Sequence, residues 1–417
     1  MKYGLIGEKL SHSFSAQIHN RLFDYAYELK ELTPSEVESF LAERDFCAIN
    51  VTIPYKEAVI PHLDVVNENT LRIGAVNTIV NRDGLLYGYN TDFFGLKALI
   101  EYNDIEISGR KVLVLGSGGT SKTAAAVVQA LGCREVYRVS RVERDGCITY
   151  DQALREHKDA QILINTTPCG MYPNLGVSAV NVGDYPALEG VVDVVYNPLR
   201  TKLVCDALVM GIPAVGGLYM LVAQAAFAAE QFVSTAVESS QIDEIYRELL
   251  REKENIVLVG MPASGKSTVG RLLADALGRP FMDTDDEIVS RCGCDIPAIF
   301  CEQGEAAFRD IESRIVRDVA TVQGAVIATG GGAVLRPENV AMLKENGRMY
   351  FLDRSLERLV TTADRPLSSN RGDLEHRYQE RYPIYTAVCD KRIEADGTAE
   401  EVANLIREDF LHETTGH

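Results

Sequence analysis

Two glycine-rich segments, each placed directly after a short apolar run, constrain this chain more than any other feature. Lys111-Val112-Leu113-Val114-Leu115 leads into Gly116-Ser117-Gly118-Gly119-Thr120-Ser121, and Asn255-Ile256-Val257-Leu258-Val259 leads into Gly260-Met261-Pro262-Ala263-Ser264-Gly265-Lys266-Ser267. Such near-continuous runs of valine, leucine and isoleucine read as strands buried on both faces, as parallel sheets require. A parallel strand is followed by a crossover, usually a helix, so each glycine segment falls at a strand-to-helix turn. There, backbone N–H groups and the helix N-terminus can hold phosphate oxygens. The two loops differ in design, which implies two nucleotides and two successive reactions.

A length of 417 residues implies roughly two or three domains, and 46% hydrophobic with 24% charged residues is an ordinary globular composition. The net charge of −18 and pI near 4.9 argue against nucleic-acid or anionic-membrane binding by bulk electrostatics. Nine scattered cysteines with no C-x-x-C pair argue against a disulfide framework or zinc site and fit a reducing cytoplasm. The opening Met1 to Glu8 lacks an apolar core of signal-peptide length, and the longest apolar stretch, Gly216 to Ala229, is too short to span a bilayer. The chain is expected to be soluble and cytoplasmic, with small-molecule partners. Its oligomeric state cannot be read.

Short strands are expected at Tyr3–Gly7, Ala48–Thr52 and Thr78–Asn81, with a helical pattern at Ser35–Arg44. From Lys111, runs at Val112–Leu115, Val136–Val139, Ile162–Asn165 and Val191–Val195 alternate with helical or loop segments, which implies a parallel, doubly wound sheet. Gly217–Phe232 reads as a helix. The polar stretch from Val233 to Glu254 is the expected junction, partly helical, before a fresh βα series begins at Asn255. The expected class is α/β throughout. Residues 1–103 are expected to form a substrate-binding domain, 104–235 a dinucleotide-binding Rossmann domain whose last helix returns to the first, 236–254 a linker, and 255–417 a P-loop domain.

In the first loop Ser121 replaces the third glycine of G-x-G-x-x-G, so that loop alone is a weak signal. An NAD site places an acidic residue at the end of the second strand; here the strand ends Val139-Ser140-Arg141, and a guanidinium suits a 2′-phosphate, favouring NADP(H). The chain resembles the shikimate dehydrogenase family over about residues 1–235. The resemblance is carried by His12-Ser13-Phe14-Ser15, Asn50-Val51-Thr52-Ile53-Pro54-Tyr55-Lys56, Gly74-Ala75-Val76-Asn77-Thr78, Asn90-Thr91-Asp92, and Gly217-Leu218-Tyr219-Met220-Leu221 through Gln224-Ala225. Ala16 stands where that family commonly has proline, and Ser140-Arg141-Val142 replaces its usual N-R-T. The resemblance implies Lys56 and Asp92 as the catalytic pair, and Ser13, Ser15, Thr52, Asn77, Tyr196 and Gln224 as substrate-binding. It also implies Gly116, Gly118, Gly119, Thr120, Ser140, Arg141 and Gly217 around the cofactor. Hydride reduction of a ketone needs a proton donor, which a lysine ammonium supplies. Taken singly, Lys56 reads as a surface lysine and Asp92 as a helix cap for Phe93 onward.

The second loop is a full G-x-x-x-x-G-K-S, a strong signal for a phosphate-binding P-loop, and no N-K-x-D guanine-recognition sequence occurs in the chain. Lys266 would reach the β- and γ-phosphates and Ser267 would ligate Mg²⁺, with Gly260 and Gly265 letting the backbone close. From this loop onward the chain resembles the shikimate kinase family over about residues 255–410, carried by Phe281-Met282-Asp283-Thr284-Asp285; Ile299-Phe300, Gly304-Glu305, Phe308-Arg309 and Glu312; Gly330-Gly331-Gly332; Arg365-Pro366-Leu367; and Arg381 with Tyr385. The resemblance implies a nucleoside-monophosphate-kinase-like fold using ATP and Mg²⁺. Asp285 would bind ring hydroxyls, Arg309 and Arg381 the carboxylate, and Gly330, Gly331 and Gly332 would allow close approach. Ser264 and Thr268 complete the nucleotide loop, Asp283 supports the metal, Arg358 lies by the adenine, and Arg365 acts from a lid. Together the halves imply reduction of 3-dehydroshikimate to shikimate and then its 3-phosphorylation. Two alternatives stay open: a kinase half that only senses nucleotide, and a first half that takes quinate with NAD.

Overall fold

The computed structural model describes residues 1–10, 13–144, 146–359 and 371–412. The backbone divides into two compact units. Met1–Asn197 and Asp206–Glu248 fall in the first, and Pro198–Cys205 with the described residues from Leu249 to His412 in the second.

The first unit holds two six-stranded sheets. One runs in the order Tyr27–Glu31, Tyr3–Gly7, Ala48–Val51, Thr78–Arg82, Leu85–Tyr89, Val65–Val66, parallel at its first three strands and antiparallel across Ala48–Val51, Thr78–Arg82 and Leu85–Tyr89. Its core gathers Ile6, Ile49, Val51, Val76, Ile79 and Leu86, all at most 2% exposed. The helix Pro34–Glu43 starts where Thr33 and Glu36 exchange side-chain and backbone hydrogen bonds, with proline in the first turn, where its missing N–H costs nothing.

The second sheet is wholly parallel, in the order Ala214–Val215, Gly190–Asp193, Ile162–Asn165, Lys111–Leu115, Glu135–Ser140, Ile148–Thr149. Lys111–Leu115 is buried at every position, as a strand covered on both faces must be. The chain order reverses between Lys111–Leu115 and Ile162–Asn165, and such a reversal opens a crevice beyond the strands' carboxyl ends. Gly116 and Thr166 leave the two strands there.

In the second unit one five-stranded parallel sheet runs Phe281–Asp283, Val326–Ala328, Asn255–Val259, Gly347–Asp353, Lys391–Glu394. Its switch lies between Asn255–Val259 and Val326–Ala328, so the loop at Gly260 and the glycines at 330–332 leave on the same edge. Val257, Val259, Ile327 and Phe351 build the core on one face, and Ile256, Leu258, Val326 and Leu352 the core on the other.

The segment read as a polar linker at 236–254 is mostly one helix, Ser239–Lys253. Ile242, Ile245 and Leu249 are buried at helical spacing, and this sparse apolar stripe is hidden by charged neighbours in the sequence. No helix among the described residues is long and apolar enough to cross a membrane.

Candidate active sites

In the first unit Lys56 sits in the turn after Ala48–Val51, and Asp92 in the first turn of the helix Thr91–Tyr102. Lys56 Nζ donates to Asp92 Oδ2 at 2.6 Å, with side chains 14% and 8% exposed. Asp92 does not cap this helix; Asn90 does, accepting the Phe93 N–H at 3.1 Å. The Asp92 carboxylate is thereby left to Lys56 and to Asn77, whose Nδ2 donates to Oδ1 at 2.9 Å. Asn77 is a hub. Its Nδ2 also approaches Thr91 Oγ1 at 3.0 Å and Gln224 Oε1 at 3.4 Å, and its Oδ1 accepts the Thr91 N–H at 2.7 Å. Gln224 is oriented by its own helix, donating to Leu221 O at 2.9 Å.

Ser13 and Ser15 face one another, Oγ to Oγ, at 3.1 Å. Phe14 between them tilts against Tyr196 at 5.3 Å, and burial pushes the Tyr196 phenol up. Thr52 is half-buried, its N–H donating to Ile6 O at 3.0 Å. His12 lies outside the described residues.

Beside this pocket stands the first glycine loop. Gly116 has φ +128°, and the Thr166 side chain fills the space where a Cβ would go, so only glycine fits the turn. Thr166 is itself fixed, donating from Oγ1 to Leu115 O at 2.7 Å. The helix Gly119–Ala130 begins at Gly118, around whose Cβ position nothing lies within 4 Å. An exposed helix N-terminus of this kind fits a dinucleotide pyrophosphate. The Cβ position of Gly119 is 3.7 Å from Lys56 Cβ, so the cradle adjoins the lysine. Thr120 lies in the first turn of that helix, and Gly217 caps the helix Leu218–Val233, packed against the Val194 carbonyl. Ser140 is buried at the end of Glu135–Ser140, while Arg141 is exposed just beyond.

In the second unit Lys266 Nζ donates to the carbonyls of Gly260 at 2.9 Å and Met261 at 2.8 Å, folding back over its own loop. Ser264 Oγ is buried and, among the described residues, has no hydrogen-bond partner, a polar orphan suited to phosphate. Ser267 Oγ donates to Asp283 Oδ2 at 2.6 Å, and Asp283 Oδ1 accepts the Asp285 N–H at 3.0 Å. A hydroxyl beside a carboxylate fits Mg²⁺, which takes oxygen ligands and keeps several waters. Thr268 is exposed on the same helix.

The glycines at 330–332 face the acidic and basic groups. Gly330 N–H donates to Thr284 Oγ1 at 2.8 Å, and its Cβ position lies 2.5 Å from Asp285 Oδ1 and 3.1 Å from Glu312 Oε1. A Cβ on Gly332 would collide with the Arg309 guanidinium, and Gly331 O accepts from Arg381 Nη1 at 3.2 Å and from Tyr385 OH. Arg309 is held by Glu312 at 2.8 Å and Glu305 at 3.2 Å. Burial pushes the Glu312 carboxyl above its ordinary value, against the pull of Arg309. Sequence reasoning misses the holding roles of Glu305 and Glu312, although spacings of four and three on a helix put both beside Arg309. Arg358 is exposed and donates to the Asp396 carbonyl. Arg365, with its Pro366-Leu367 neighbours, lies outside the described residues.

The two halves are thus a doubly wound dehydrogenase-type fold with a glycine loop at its switch point and a P-loop kinase fold in which Asp285, Arg309 and Arg381 gather around the glycines at 330–332. Residues 5–79 match the model of the shikimate dehydrogenase substrate binding domain, and residues 262–410 that of shikimate kinase. The shikimate dehydrogenase (NADP(+)) of Clostridium perfringens is 38% identical over 272 residues, covering 59% of this chain and 97% of the relative. The crystal structure of shikimate dehydrogenase 1 from Peptoclostridium difficile superposes with a TM-score of 0.56 at 37% identity, covering 60% of this chain and 98% of that one. Shikimate 5-dehydrogenase from Thermus thermophilus, solved with NADP(H) and shikimate, gives 0.55 at 28% identity over 60% of this chain and 99% of its own. The chain belongs to the shikimate dehydrogenase family and continues into a shikimate kinase domain, so it is a bifunctional fusion of the two enzymes.

Proposed function

We propose that the chain reduces 3-dehydroshikimate to shikimate with NADPH and then phosphorylates the shikimate 3-hydroxyl with ATP and Mg²⁺. The observation that carries this is the Lys56–Asp92 pair at 2.6 Å, set beside one phosphate cradle, while a second cradle adjoins Asp285, Arg309 and Arg381.

NADPH supplies the hydride and ATP the phosphoryl group. As hydride reaches the ketone carbon, negative charge grows on its oxygen; Lys56 Nζ donates the proton and Asp92 holds the ammonium in place. Asn77 and Gln224 present amide groups to ring hydroxyls, and Ser13 and Ser15 present hydroxyls to the carboxylate, with Thr52 and Tyr196 along the wall. Gly116, Gly118, Gly119 and Thr120 bind the pyrophosphate, with Gly217 shaping the crevice, and Ser140 and Arg141 meet the 2′-phosphate. In the second half Asp285 orients the attacking hydroxyl, and Arg309 and Arg381 hold the carboxylate as forked donors. The backbone of Gly330, Gly331 and Gly332 closes on the acceptor. Gly260, Ser264, Gly265, Lys266 and Thr268 bind the phosphates, Ser267 and Asp283 the metal, Arg358 the adenine side, and Arg365 the transferring group.

The four-part division at residues 103, 235 and 254 is kept as a functional reading, with the helix Ser239–Lys253 as the joint. A cytoplasmic location with no nucleic-acid or membrane partner is supported by the scatter of nine cysteines without a C-x-x-C pair and by the charge of −18. The test supplies pure protein with 3-dehydroshikimate, NADPH and ATP·Mg²⁺ and follows the products. Shikimate 3-phosphate is expected, with the reaction stopping at shikimate when ATP is withheld. Absence of NADPH oxidation, or shikimate accumulating despite ATP, would sink the corresponding half.

A further inference from the structure

The strand Gly347–Asp353 pairs in parallel with Asn255–Val259, Val259 lying opposite Phe351, so both chains emerge on one edge. One continues as Gly260 and the phosphate loop, the other as Arg354, Ser355 and the short turn Leu356–Arg358. The two exits touch: a Cβ on Gly260 would lie 2.9 Å from the Leu352 carbonyl oxygen.

Arg354 crosses this junction. Its Nη1 is 3.7 Å from the Cβ position of Gly265, the nearest atom to it. Gly265, at φ +95°, ends the phosphate loop and caps the helix Lys266–Leu277. The Arg354 Nε is shielded from solvent and has no hydrogen-bond partner among the described residues. A guanidinium does not release its proton inside a protein, so a shielded N–H of this kind calls for an acceptor oxygen. The neighbouring acid, Asp396, feels the Arg354 charge but makes its hydrogen bonds elsewhere. Its carboxylate accepts the Ser355 N–H at 3.0 Å and its carbonyl accepts from Arg358. That Ser355 bond is the main reason the Asp396 carboxyl lies below its ordinary range, with the charges of Arg358 and Arg354 adding.

The geometry points to Arg354 as a second cationic ligand of the nucleotide polyphosphate, acting from the strand edge while Lys266 acts from within the loop. A planar fork of donors matches phosphate oxygens better than a point charge. The inference rests on the reading of this half as an ATP-dependent kinase.

Calorimetric titration of the full chain with ADP and Mg²⁺ tests it, comparing wild type with Arg354→Met and Arg354→Lys. The methionine variant should bind ADP about 10- to 100-fold more weakly, the span for charge-assisted hydrogen bonds. The lysine variant should recover much of the loss, with the KM for shikimate and NADPH-dependent reduction unchanged within about twofold. ADP binding by Arg354→Met within twofold of wild type overturns the inference. So does a lysine variant as weak as the methionine one, or a shikimate KM that rises alongside the ADP dissociation constant. Wild-type protein that binds no ADP overturns the kinase reading itself, together with the role of Arg354.

Discussion

The two sites proposed to take the same acid are built from opposite materials. In the first, neutral groups do most of the holding: Asn77 bridges Asp92, Thr91 and Gln224, and Lys56 brings one positive charge against one carboxylate. In the second, Arg309 is clamped between Glu305 and Glu312, and Arg381 donates to the Gly331 carbonyl. The difference follows the chemistry. Ketone reduction needs one proton delivered to one oxygen, so a single ammonium suffices among groups that only orient. Phosphoryl transfer brings a polyanion next to a carboxylate substrate, and several cations are needed to offset that charge.

The largest effect expected is at the proton donor. Lys56→Met should slow reduction of 3-dehydroshikimate by about 10²–10⁴-fold, while phosphorylation of added shikimate continues. Near-normal NADPH oxidation by this variant would remove Lys56 from the chemistry and leave the first pocket without its distinguishing charge.

Next comes stability, where the ionic and neutral frames should separate. Arg309→Met leaves Glu312, 1% exposed, without its nearest cation, and should cost about 3–5 kcal/mol. Asn77→Ala removes a neutral hub and should cost about 1–3 kcal/mol. Denaturant melts reporting equal losses would erase the contrast between the pockets.

A smaller effect concerns pH. Because burial raises the Glu312 carboxyl above 4.5, the folded protein takes up this proton at a pH where the unfolded chain has released it. Stability tied to Glu312 is therefore fully present below pH 4.5 and declines as pH rises through the folded value, by at most about 1.4 kcal/mol per pH unit. Glu312→Gln should flatten that part of the stability profile, and an unchanged slope would assign the effect to other groups.

The smallest effect belongs to an exposed side chain. Arg141→Ala should raise the KM for NADPH by about tenfold and leave NADH use almost unaltered. Equal losses with both cofactors would make Arg141 a structural residue.

Much of the molecule is legible from the chain alone, and what is not has a common cause. Tyr3–Gly7 and Ile162–Asn165 have the bounds expected from the chain, the second because a short run of isoleucine and leucine suits a strand buried on both faces. Leu85–Tyr89 is not apparent in the sequence; glycine and tyrosine weaken its pattern, and it is a strand because Thr78–Arg82 pairs with it through the turn at Asp83 and Gly84. Asp92 illustrates the same limit at a site. Its position suggests a helix cap, yet Asn90 two residues earlier takes that task and leaves the carboxylate to Lys56.

By itself the sequence determined the two strand–loop–helix cradles, their order and the residue types of each pocket. These depend on local conformation: a glycine at positive φ, an apolar run and a helix start all act within a few residues. Tertiary structure decided the partnerships. Asn77 meets Gln224 across 147 positions, and Arg354 comes to rest beside Gly265 because their strands are neighbours in one sheet. Strand order and side-chain packing are long-range outcomes of burying a shared core, and no local pattern encodes which side chain will complete a site.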